Sequence, residues 1–278
     1  MSPLARVLPL MLAALATAAG DPGTPRREPG VVPLFNGTNL AGWTTWLVDT
    51  RHADPRRVFT VTNGVLRLSG DGLGYLVTTE EFADYQLRVE YRWGRTNHAW
   101  GDRVGRARDA GIFVHVTGPD GNSEDGRGAF RAGLECQVME GATGDLLLIR
   151  GTNAQGRPIA PRVSVRTRPG RDPDGWPYAL TGGPRDTTLE RWGRVNWTRK
   201  SPEWRDEFGF RGPQDVERPP GEWNRLVLTC AADELTVELN GTPVNEAGRI
   251  WPARGRILLQ CEGSEIEFRR VELLRLAR

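Results

Sequence analysis

Strict alternation of apolar and polar side chains is the feature that most limits how this chain can fold. In YQLRVEYRW (85–93), aromatic or aliphatic residues alternate with polar residues without interruption. Successive side chains of a β-strand point to opposite faces, so such a segment buries one face and exposes the other. No stretch of the chain keeps the 3.6-residue apolar period of a helix for three turns. The pattern predicts an all-β fold.

Other segments predict that the strands form two packed sheets. VFTVTNGVLRL (58–68) has two short β-type runs around Asn63-Gly64, a pair typical of tight hairpins. Further strands are expected at 111–117, 224–230, 234–241, 255–263 and 265–276. Strands with one apolar and one polar face pack as an antiparallel sandwich with the apolar faces inside. The polar face of an inner strand can then line a concave groove.

The N-terminus is expected to direct export. Residues 1–19 contain an early arginine, a short apolar run and a small-residue end, which is the layout of a cleaved signal peptide. A Pro/Gly-rich linker is expected at 20–30, followed by one β-sandwich domain at 31–278. We therefore expect a secreted or periplasmic protein. The apolar run is too short to cross a bilayer, and no later stretch approaches a membrane span.

Residues 150–220 differ in composition from the rest of the domain. They are rich in Gly, Pro, Arg and Asp, and they contain Trp176, Trp192, Trp197 and Trp204. A disordered segment would rarely keep so many aromatic residues. We expect a long, irregular but ordered insertion over one face of the sandwich. Its tryptophans either stack on sugar rings or anchor the insertion to the domain.

Charge and cysteine content narrow the expected partners. The net charge is +2, and the 37 basic residues, all arginine except Lys200, are spread among acids. This distribution gives no reason to expect a nucleic-acid partner. The three cysteines lie in apolar or alternating runs, which favours buried free thiols, although a Cys230–Cys261 disulfide stays open.

Three predicted strands carry polar residues opposite their apolar face. RAGLECQVME (131–140) alternates Glu135 and Gln137 with Leu134, Cys136 and Val138. In GIFVHVT (111–117), Ile112, Val114 and Val116 should share one face, with Phe113 and His115 on the other. Gln260 and Glu262 lie opposite Leu259 and Cys261. If these strands are neighbours, Glu135, His115, Gln260 and Glu262 form an acid–base patch.

Several other types of site are poorly supported. His52 and His98 lie outside clear strands, so a three-histidine zinc site is not expected, and no nucleotide-binding or serine-hydrolase motif is present. Glu135-Cys-Gln-Val-Met-Glu140 is similar to the E-x-D-x-x-E strand of retaining β-glucanases. Glu140 could join Glu135 only through a β-bulge, and Gln137 replaces the family's aspartate.

The chain as a whole resembles the 3-keto-disaccharide hydrolase domain family over about 34–276. The resemblance rests on the following segments, in order: LFNGTNLAGW (34–43), NGVLRLSGDGLGYLVTTEEFADYQLRVEYRW (63–93), DAGIFVHVTGP (109–119), GLECQVMEGATGDLLLI (133–149), PPGEWNRLVL (219–228), LTVELNGTPVNEA (235–247) and GRILLQCEGSEIEFRRVELL (255–274). It implies an exported, concanavalin A-like jelly roll acting on glycosides oxidised at C3. Asp109-Ala110 replaces the usual Asn-Ser, and Cys261-Glu262 stands where many relatives have Asp-His.

The implied substrate sets the chemistry expected at the patch. A ketone at C3 makes the C2 hydrogen acidic, and the glycosidic oxygen can then leave by elimination. His115 or Glu135 would be the base, and Glu262 would protonate the leaving oxygen. Gln137, Asp109, Phe113 and Gln260 would bind substrate. A divalent cation held by Glu135, His115 and Asp109 would polarise the ketone.

Two other classes of function stay open from the sequence. A non-catalytic carbohydrate-binding module would keep the groove and the aromatic residues without needing a base. A structural or interaction domain would need neither. Turnover of a 3-keto-glycoside separates the enzyme from both.

Overall fold

The computed structural model describes residues 30–98, 103–190 and 192–277. The predicted signal peptide (1–19) and all of the predicted linker except Gly30 lie outside these residues. The described part of the chain contains β-strands and no α-helix, and none of it forms a helix that could cross a membrane. The strands form two large antiparallel sheets and two small ribbons.

The larger sheet, called sheet A here, has ten strands. Its order is β15 (Thr187–Glu190), β12 (Arg162–Val165), β19 (Thr242–Trp251), β18 (Glu234–Leu239), β17 (Asn224–Ala231), β6 (Tyr85–Asn97), β21 (Ser264–Arg275), β4 (Val65–Leu68) and β3 (Phe59–Thr62), with β1 (Val31–Pro33) also paired to β21. The alternating segment 85–93 forms most of β6 at the centre of this sheet, as predicted.

The second sheet, called sheet B, has seven strands and carries the candidate site. Its order is β16 (Gly193–Val195), β9 (Leu146–Ile149), β8 (Ala132–Met139), β7 (Asp109–Thr117), β20 (Arg256–Glu262), β5 (Leu73–Thr78) and β2 (Trp43–Leu47). The two ribbons are β10 (Gly151–Thr152) with β11 (Pro158–Ile159), and β13 (Thr167–Arg171) with β14 (Pro177–Ala179). The three strands expected to share a polar patch, β8, β7 and β20, are adjacent.

The apolar faces of the two sheets form one continuous core. It joins alternating residues of β6, such as Leu87 and Val89, to residues of β7 and β8 such as Ile112 and Leu134. The hairpin predicted around Asn63-Gly64 is present between β3 and β4, and both turn residues have positive φ (51° and 78°), as a two-residue hairpin turn of this kind requires. The predicted all-β, two-sheet, concanavalin A-like jelly roll is confirmed.

One predicted face assignment is wrong because β7 contains a bulge. Val114 pairs with Leu134 and Thr117 with Ala132, so β7 has one residue more than β8 over this stretch. His115, at the bulge, has a φ of 55°. Beyond it the alternation is reversed. Val116 packs with Phe113 on the outer face of sheet B, whereas His115 turns back toward the core.

Residues 150–220 are more regular than their composition suggests. They contain β10 to β16, of which β12 and β15 extend sheet A and β16 extends sheet B. Trp197 is buried and Trp204 half-buried, whereas Trp192 is 51% exposed. The segment therefore belongs to the sandwich as well as covering it.

The three cysteines are buried and unpaired, as the apolar surroundings in the sequence predicted. Burial raises the pKa of each thiol above its usual value. The Cys230–Cys261 disulfide is not formed.

Candidate functional site

A cleft of about 320 Å³ opens on the outer face of sheet B, over β8, β7 and β20. The strand register aligns residues of these strands in rows across the sheet. Gln137 is opposite Gly111, and Leu259 pairs with Ile112, which brings Gln260 opposite Gly111 on the other side. Five of the seven predicted site residues line the cleft. They are Asp109, Glu135, Gln137, Gln260 and Glu262.

Gly111 makes room for the polar groups at the centre of the cleft floor. An ideal Cβ at this position would overlap Glu135 Oε1 and lie 2.9 Å from both Gln260 Oε1 and Phe113 Cε1. A glycine inside a strand often marks such a close approach. The absent side chain lets a carboxyl from β8 and an amide from β20 meet over β7.

Glu135 is the most strongly perturbed group in the cleft. Its side chain is almost completely buried (3% exposed), and burial raises the pKa of its carboxyl well above the usual value. The negative charges of Asp109 and Glu262 raise this pKa further, while Arg194 and a hydrogen bond from Gln260 oppose the increase. The carboxyl therefore holds its proton more tightly than an exposed glutamate does, and its carboxylate form is a stronger base.

Asp109 lies beside Glu135 at the start of β7. Burial raises its pKa to about 6, although its Oδ2 lies 3.1 Å from Arg103 Nη2. Asp109 lies on β7, next to the strand of Glu135, and Glu262 lies on β20, one strand further in the same direction. Three carboxyl groups close together disfavour full ionisation of all three, so the cleft can retain a proton that a water-exposed set would lose.

Three buried acceptor oxygens in the cleft have no hydrogen-bond donor among the described residues. They are Asp109 Oδ1, Gln137 Oε1 and Gln260 Oε1. A buried acceptor without a donor costs about 1–3 kcal/mol. A ligand that carries several hydroxyl groups would satisfy these oxygens together.

The walls of the cleft come from two loops. Residues 118–131, called the covering loop here, pack Phe130 against Phe113 (ring centroids 5.8 Å apart), and Asp125 and Arg127 line the cleft edge. The loop is held to the sheet by the Tyr75 hydroxyl, which donates a hydrogen bond of 2.7 Å to Asp120 Oδ1. On the opposite side, the exposed ring of Trp192 borders the opening.

The structure does not bring His115 into the cleft. Its ring packs edge-on against Tyr85 in the core, and its Nδ1 lies 2.9 Å from the carbonyl oxygen of Pro252, which makes Nδ1 the protonated nitrogen. Burial lowers its pKa to about 4, so the ring is neutral at ordinary pH. The expectation that His115 shares the patch is therefore wrong, because the bulge rotates it to the other face.

Phe113 is on the expected face but has a different surrounding from the one predicted. It is fully buried under the covering loop, in an apolar cluster with Tyr75, Val116 and Phe130. It supports the floor and the loop, and it does not line the opening of the cleft.

The residues named for a divalent cation do not come together. Glu135 and Asp109 face the cleft, whereas His115 faces the core. Within the described residues, no group of three or more His, Cys, Asp or Glu side chains is arranged to hold a metal ion.

Glu140, the partner needed for the β-glucanase mechanism, is held elsewhere. Its Oε1 accepts a hydrogen bond of 2.5 Å from Arg108 Nη1, and its Oε2 accepts bonds from the backbone N–H groups of Arg108 and Gly209. It is 1% exposed and does not line the cleft. Glu140 ties the segment around Gly209 to β7 and does not pair with Glu135.

Comparison with models of protein families shows the family to which the chain belongs. The model of the 3-keto-alpha-glucoside-1,2-lyase-like domain matches residues 30–274. The chain belongs to this family. A search of curated proteins found no significant match.

Solved structures with a similar fold include three carbohydrate-related proteins. A proposed glycosyl hydrolase of Parabacteroides distasonis is 20% identical, with 88% of this chain and 99% of that chain covered and a TM-score of 0.46. The β-glucanase of Bacillus licheniformis is 11% identical (91% and 100% covered, TM-score 0.45), and a carbohydrate-binding module of Bacillus subtilis is 12% identical (83% and 94% covered, TM-score 0.39).

Four residues of this lyase-like domain that matter to the site were not predicted from the sequence. Gly111 could have been suspected as a glycine inside a strand pattern. Asp145 lies in the Gly-Asp that follows the E-x-Q segment, and Lys200 is the only lysine of the chain. Arg194 carried no local signal, because only the pairing of β16 with β9 brings it next to the cleft.

Proposed function

We propose that this lyase-like domain cleaves 3-keto-glycosides by removing the C2 proton, with Glu135 as the base. The observation that carries the proposal is the buried carboxyl of Glu135, placed above Gly111 and beside three acceptor oxygens for which the described residues supply no donor. Burial and neighbouring negative charges raise its pKa, which makes its carboxylate a stronger base. The family description, which refers to a 3-keto-alpha-glucoside lyase, supports this choice of substrate.

The reaction begins at C2 of the oxidised sugar. Glu135 takes the C2 proton, and the electron pair of the C–H bond is delocalised onto the C3 oxygen as an enolate. The side-chain amide of Gln137 is available to stabilise this oxygen, since among the described residues its Nε2 has only a long contact of 3.7 Å to Met139 Sδ. Hydrogen-bond donors aimed at a developing oxyanion are a major source of rate enhancement.

The glycosidic bond breaks in the second step. The enolate re-forms the C3 ketone, a double bond forms between C1 and C2, and the electron pair of the C1–O bond leaves on the glycosidic oxygen. Glu262 protonates this oxygen as the alcohol departs. Addition of water at C1, with return of a proton to C2, would give the free 3-keto sugar. Release before hydration gives the lyase product.

The rest of the cleft suits a sugar ring. Asp109 Oδ1 and Gln260 Oε1 can accept hydrogen bonds from ring hydroxyls, which removes the cost of leaving them unpaired. Trp192 offers an exposed aromatic face at the opening for the second sugar or other leaving group.

A matched pair of substrates tests the proposal. The purified protein is offered a glycoside and the same glycoside oxidised at C3, and release of the alcohol is measured. We expect cleavage of the oxidised substrate only, because without the ketone the C2 hydrogen is far too weakly acidic for a carboxylate. Glu135→Gln should abolish cleavage, whereas Glu81→Gln, an exposed glutamate, should not change it. Cleavage of the unoxidised glycoside would contradict the proposal. Saturable sugar binding without any cleavage would favour a carbohydrate-binding module.

We also propose that the protein is exported, on the basis of the signal-like sequence at 1–19. The N-terminal sequence of the protein recovered from periplasm or medium tests this. A mature N-terminus near residue 20 is expected, and retention of Met1 in a cytoplasmic protein would contradict export.

A further inference from the structure

A group of three charges, of which Asp145 and Lys200 are buried and Arg194 is partly buried, lies beside the cleft, and it is called the Asp145 cluster here. Arg194 donates to Asp145 Oδ2 through Nε (2.8 Å) and Nη2 (2.6 Å), and Lys200 Nζ donates to the same oxygen (2.8 Å). Asp145 Oδ1 accepts a hydrogen bond of 2.7 Å from the backbone N–H of Trp197. Asp145 is completely buried and Lys200 is 2% exposed.

The cluster is built around the only lysine of the chain. All other 36 of the 37 basic residues are arginine. Lys200 Nζ also donates to Asn196 Oδ1 (2.8 Å) and lies 4.1 Å from the centroid of the Trp204 ring. A compact ammonium group can point its donors at two acceptors while its charge lies over an aromatic face. The lysine is therefore suited to this position.

Strand pairing places Arg194 of this cluster on the same face of sheet B as the cleft floor. Arg194 pairs with Leu147 of β9, and Leu147 pairs with Glu135 of β8. Residues in register on adjacent strands point to the same face, so Arg194 and Glu135 share the outer face of sheet B, two strand spacings apart. The backbone N–H of Gln137 also bonds to the carbonyl oxygen of Asp145 (2.9 Å).

The charges of the cluster do not cancel. Arg194 and Lys200 contribute two positive charges and Asp145 one negative charge, which leaves the three-residue cluster with a net charge of +1. Asp172, whose Oδ2 accepts a hydrogen bond from Asn196 Nδ2, lies outside the cluster, and its negative charge also acts on Lys200. The cleft itself contains the carboxyl groups of Asp109, Glu135 and Glu262. Burial opposes the charge of the Arg194 guanidinium, but Asp145 and, to a smaller extent, Asp109 and Glu135 raise its pKa above the usual value.

We propose that the Asp145 cluster is a positioning element of the cleft, and that the positive charge of Lys200, together with that of Arg194, keeps Glu135 able to ionise as a base. The inference rests on the proposed role of Glu135. Without Lys200, the three-residue cluster would be neutral, and Arg194 and the hydrogen bond from Gln260 would remain to oppose the negative charges of Asp109 and Glu262 on Glu135. Other charged groups facing Glu135 are Asp125 and Arg127 of the covering loop.

The charge of the cluster can be changed in both directions. Lys200→Met takes it from +1 to 0, and Asp145→Asn takes it from +1 to +2. The titration midpoint of Glu135 is read by NMR on protein labelled with carboxyl-13C glutamate, with the signal assigned through its loss in Glu135→Gln. A unit charge roughly 10–15 Å away, at an effective dielectric constant of about 20, changes such a midpoint by about one pH unit.

Opposite changes in the two variants are the expected result. The Glu135 midpoint should rise by about one pH unit in Lys200→Met and fall by a similar amount in Asp145→Asn. Arg92→Met removes an arginine that pairs with Glu267 (2.6 Å) on sheet A, and it should leave the midpoint unchanged. If the Asp145 cluster had only a structural role, the Glu135 midpoint would move in the same direction in both variants or would not move. Either outcome would overturn the proposal.

The measurement needs no substrate, so it separates this inference from the proposed reaction. If the midpoints move as expected but no 3-keto-glycoside is cleaved, the electrostatic role stands and the reaction is wrong. If cleavage occurs and the midpoints do not respond, the inference is wrong and the reaction stands. Arg194→Gln, expected to raise the midpoint, serves if one of the first two variants does not fold. Failure of all three to fold would show that the cluster is structural and would overturn the proposal.

Discussion

Glu217 is a buried carboxyl group outside the cleft, and replacing it by glutamine should change how stability depends on pH. Its Oε1 accepts hydrogen bonds from the Tyr91 hydroxyl (2.5 Å) and the Trp93 indole N–H (3.0 Å). Its Oε2 is buried and has no hydrogen-bond partner among the described residues. Burial is the main cause that raises the pKa of this carboxyl to about 7.

The sign of the effect follows from comparing the two states. The folded protein keeps the Glu217 proton up to about pH 7, whereas the unfolded chain releases it near its model value of 4.5. Between these values the folded state binds more protons, so the contribution of this group to stability falls as the pH rises. At 1.36 kcal/mol per pKa unit, the loss amounts to about 3 kcal/mol once the pH exceeds 7.

Glu217→Gln keeps an acceptor for Tyr91 and Trp93 and cannot ionise. Its free energy of unfolding, measured by urea titration with tryptophan fluorescence from pH 4.5 to 8, should rise relative to the wild type by about 3 kcal/mol across that range. Glu222→Gln, an exposed position of the same segment, should follow the wild type at every pH. A difference between Glu217→Gln and wild type that does not change with pH would refute the reasoning, because it would mean that Glu217 is ionised in the folded protein.

Three further predictions concern the cleft and its neighbours. Glu135→Gln should lower kcat on a 3-keto-glycoside by at least about 10²-fold. It should not lower Tm, since a neutral amide is easier to bury than a carboxylate. A Tm lower by several degrees with activity retained would make Glu135 structural. Gly111→Ala should reduce activity by about 10²-fold, because the new methyl group displaces the Glu135 carboxyl. The control is Gly193→Ala, where the nearest neighbour lies 3.6 Å from the new Cβ, and this variant should keep its activity. Equal effects of the two variants would contradict the role of Gly111. His115→Asn, which suits a positive φ, should leave the pH–rate profile unchanged, and a changed profile would return His115 to the reaction. Because the pKa of His115 is lowered to about 4, the wild type loses stability as the pH falls from 6.5 to 4, and the variant should lose less.

The parts of the fold that follow local rules were predictable from the sequence. The alternation at 85–93 and the Asn63-Gly64 turn depend on strand periodicity and on which residues tolerate positive φ. Both rules act over a few residues. The predicted alternation is found in β6, and the predicted turn is found in the β3–β4 hairpin. The polar faces of β8 and β20 followed from the same periodicity.

The failure at His115 shows the limit of periodicity. One extra residue in β7 reverses every later face assignment, and a histidine in a left-handed conformation carries no sequence signal that distinguishes it from a regular strand residue. Val116 was misplaced for the same reason. A bulge is decided by the pairing of two strands, which a single segment does not contain.

The charges of the Asp145 cluster were not predicted, because they come from distant parts of the chain. Asp145 follows β8, whereas Arg194 and Lys200 belong to the segment 150–220, whose composition suggested an irregular loop. Only the addition of β16 to the edge of sheet B brings them together. Sequence spacing therefore gave the floor of the site but not its electrostatic surroundings.

Proton exchange at C2 tests the central claim most directly. The protein is incubated with a 3-keto-glycoside in heavy water, and deuterium at C2 of the recovered substrate and of the product is measured by mass spectrometry and NMR. The account predicts enzyme-dependent deuterium at C2 that disappears in Glu135→Gln. Cleavage by the wild-type protein that leaves the C2 hydrogen entirely in place would contradict it.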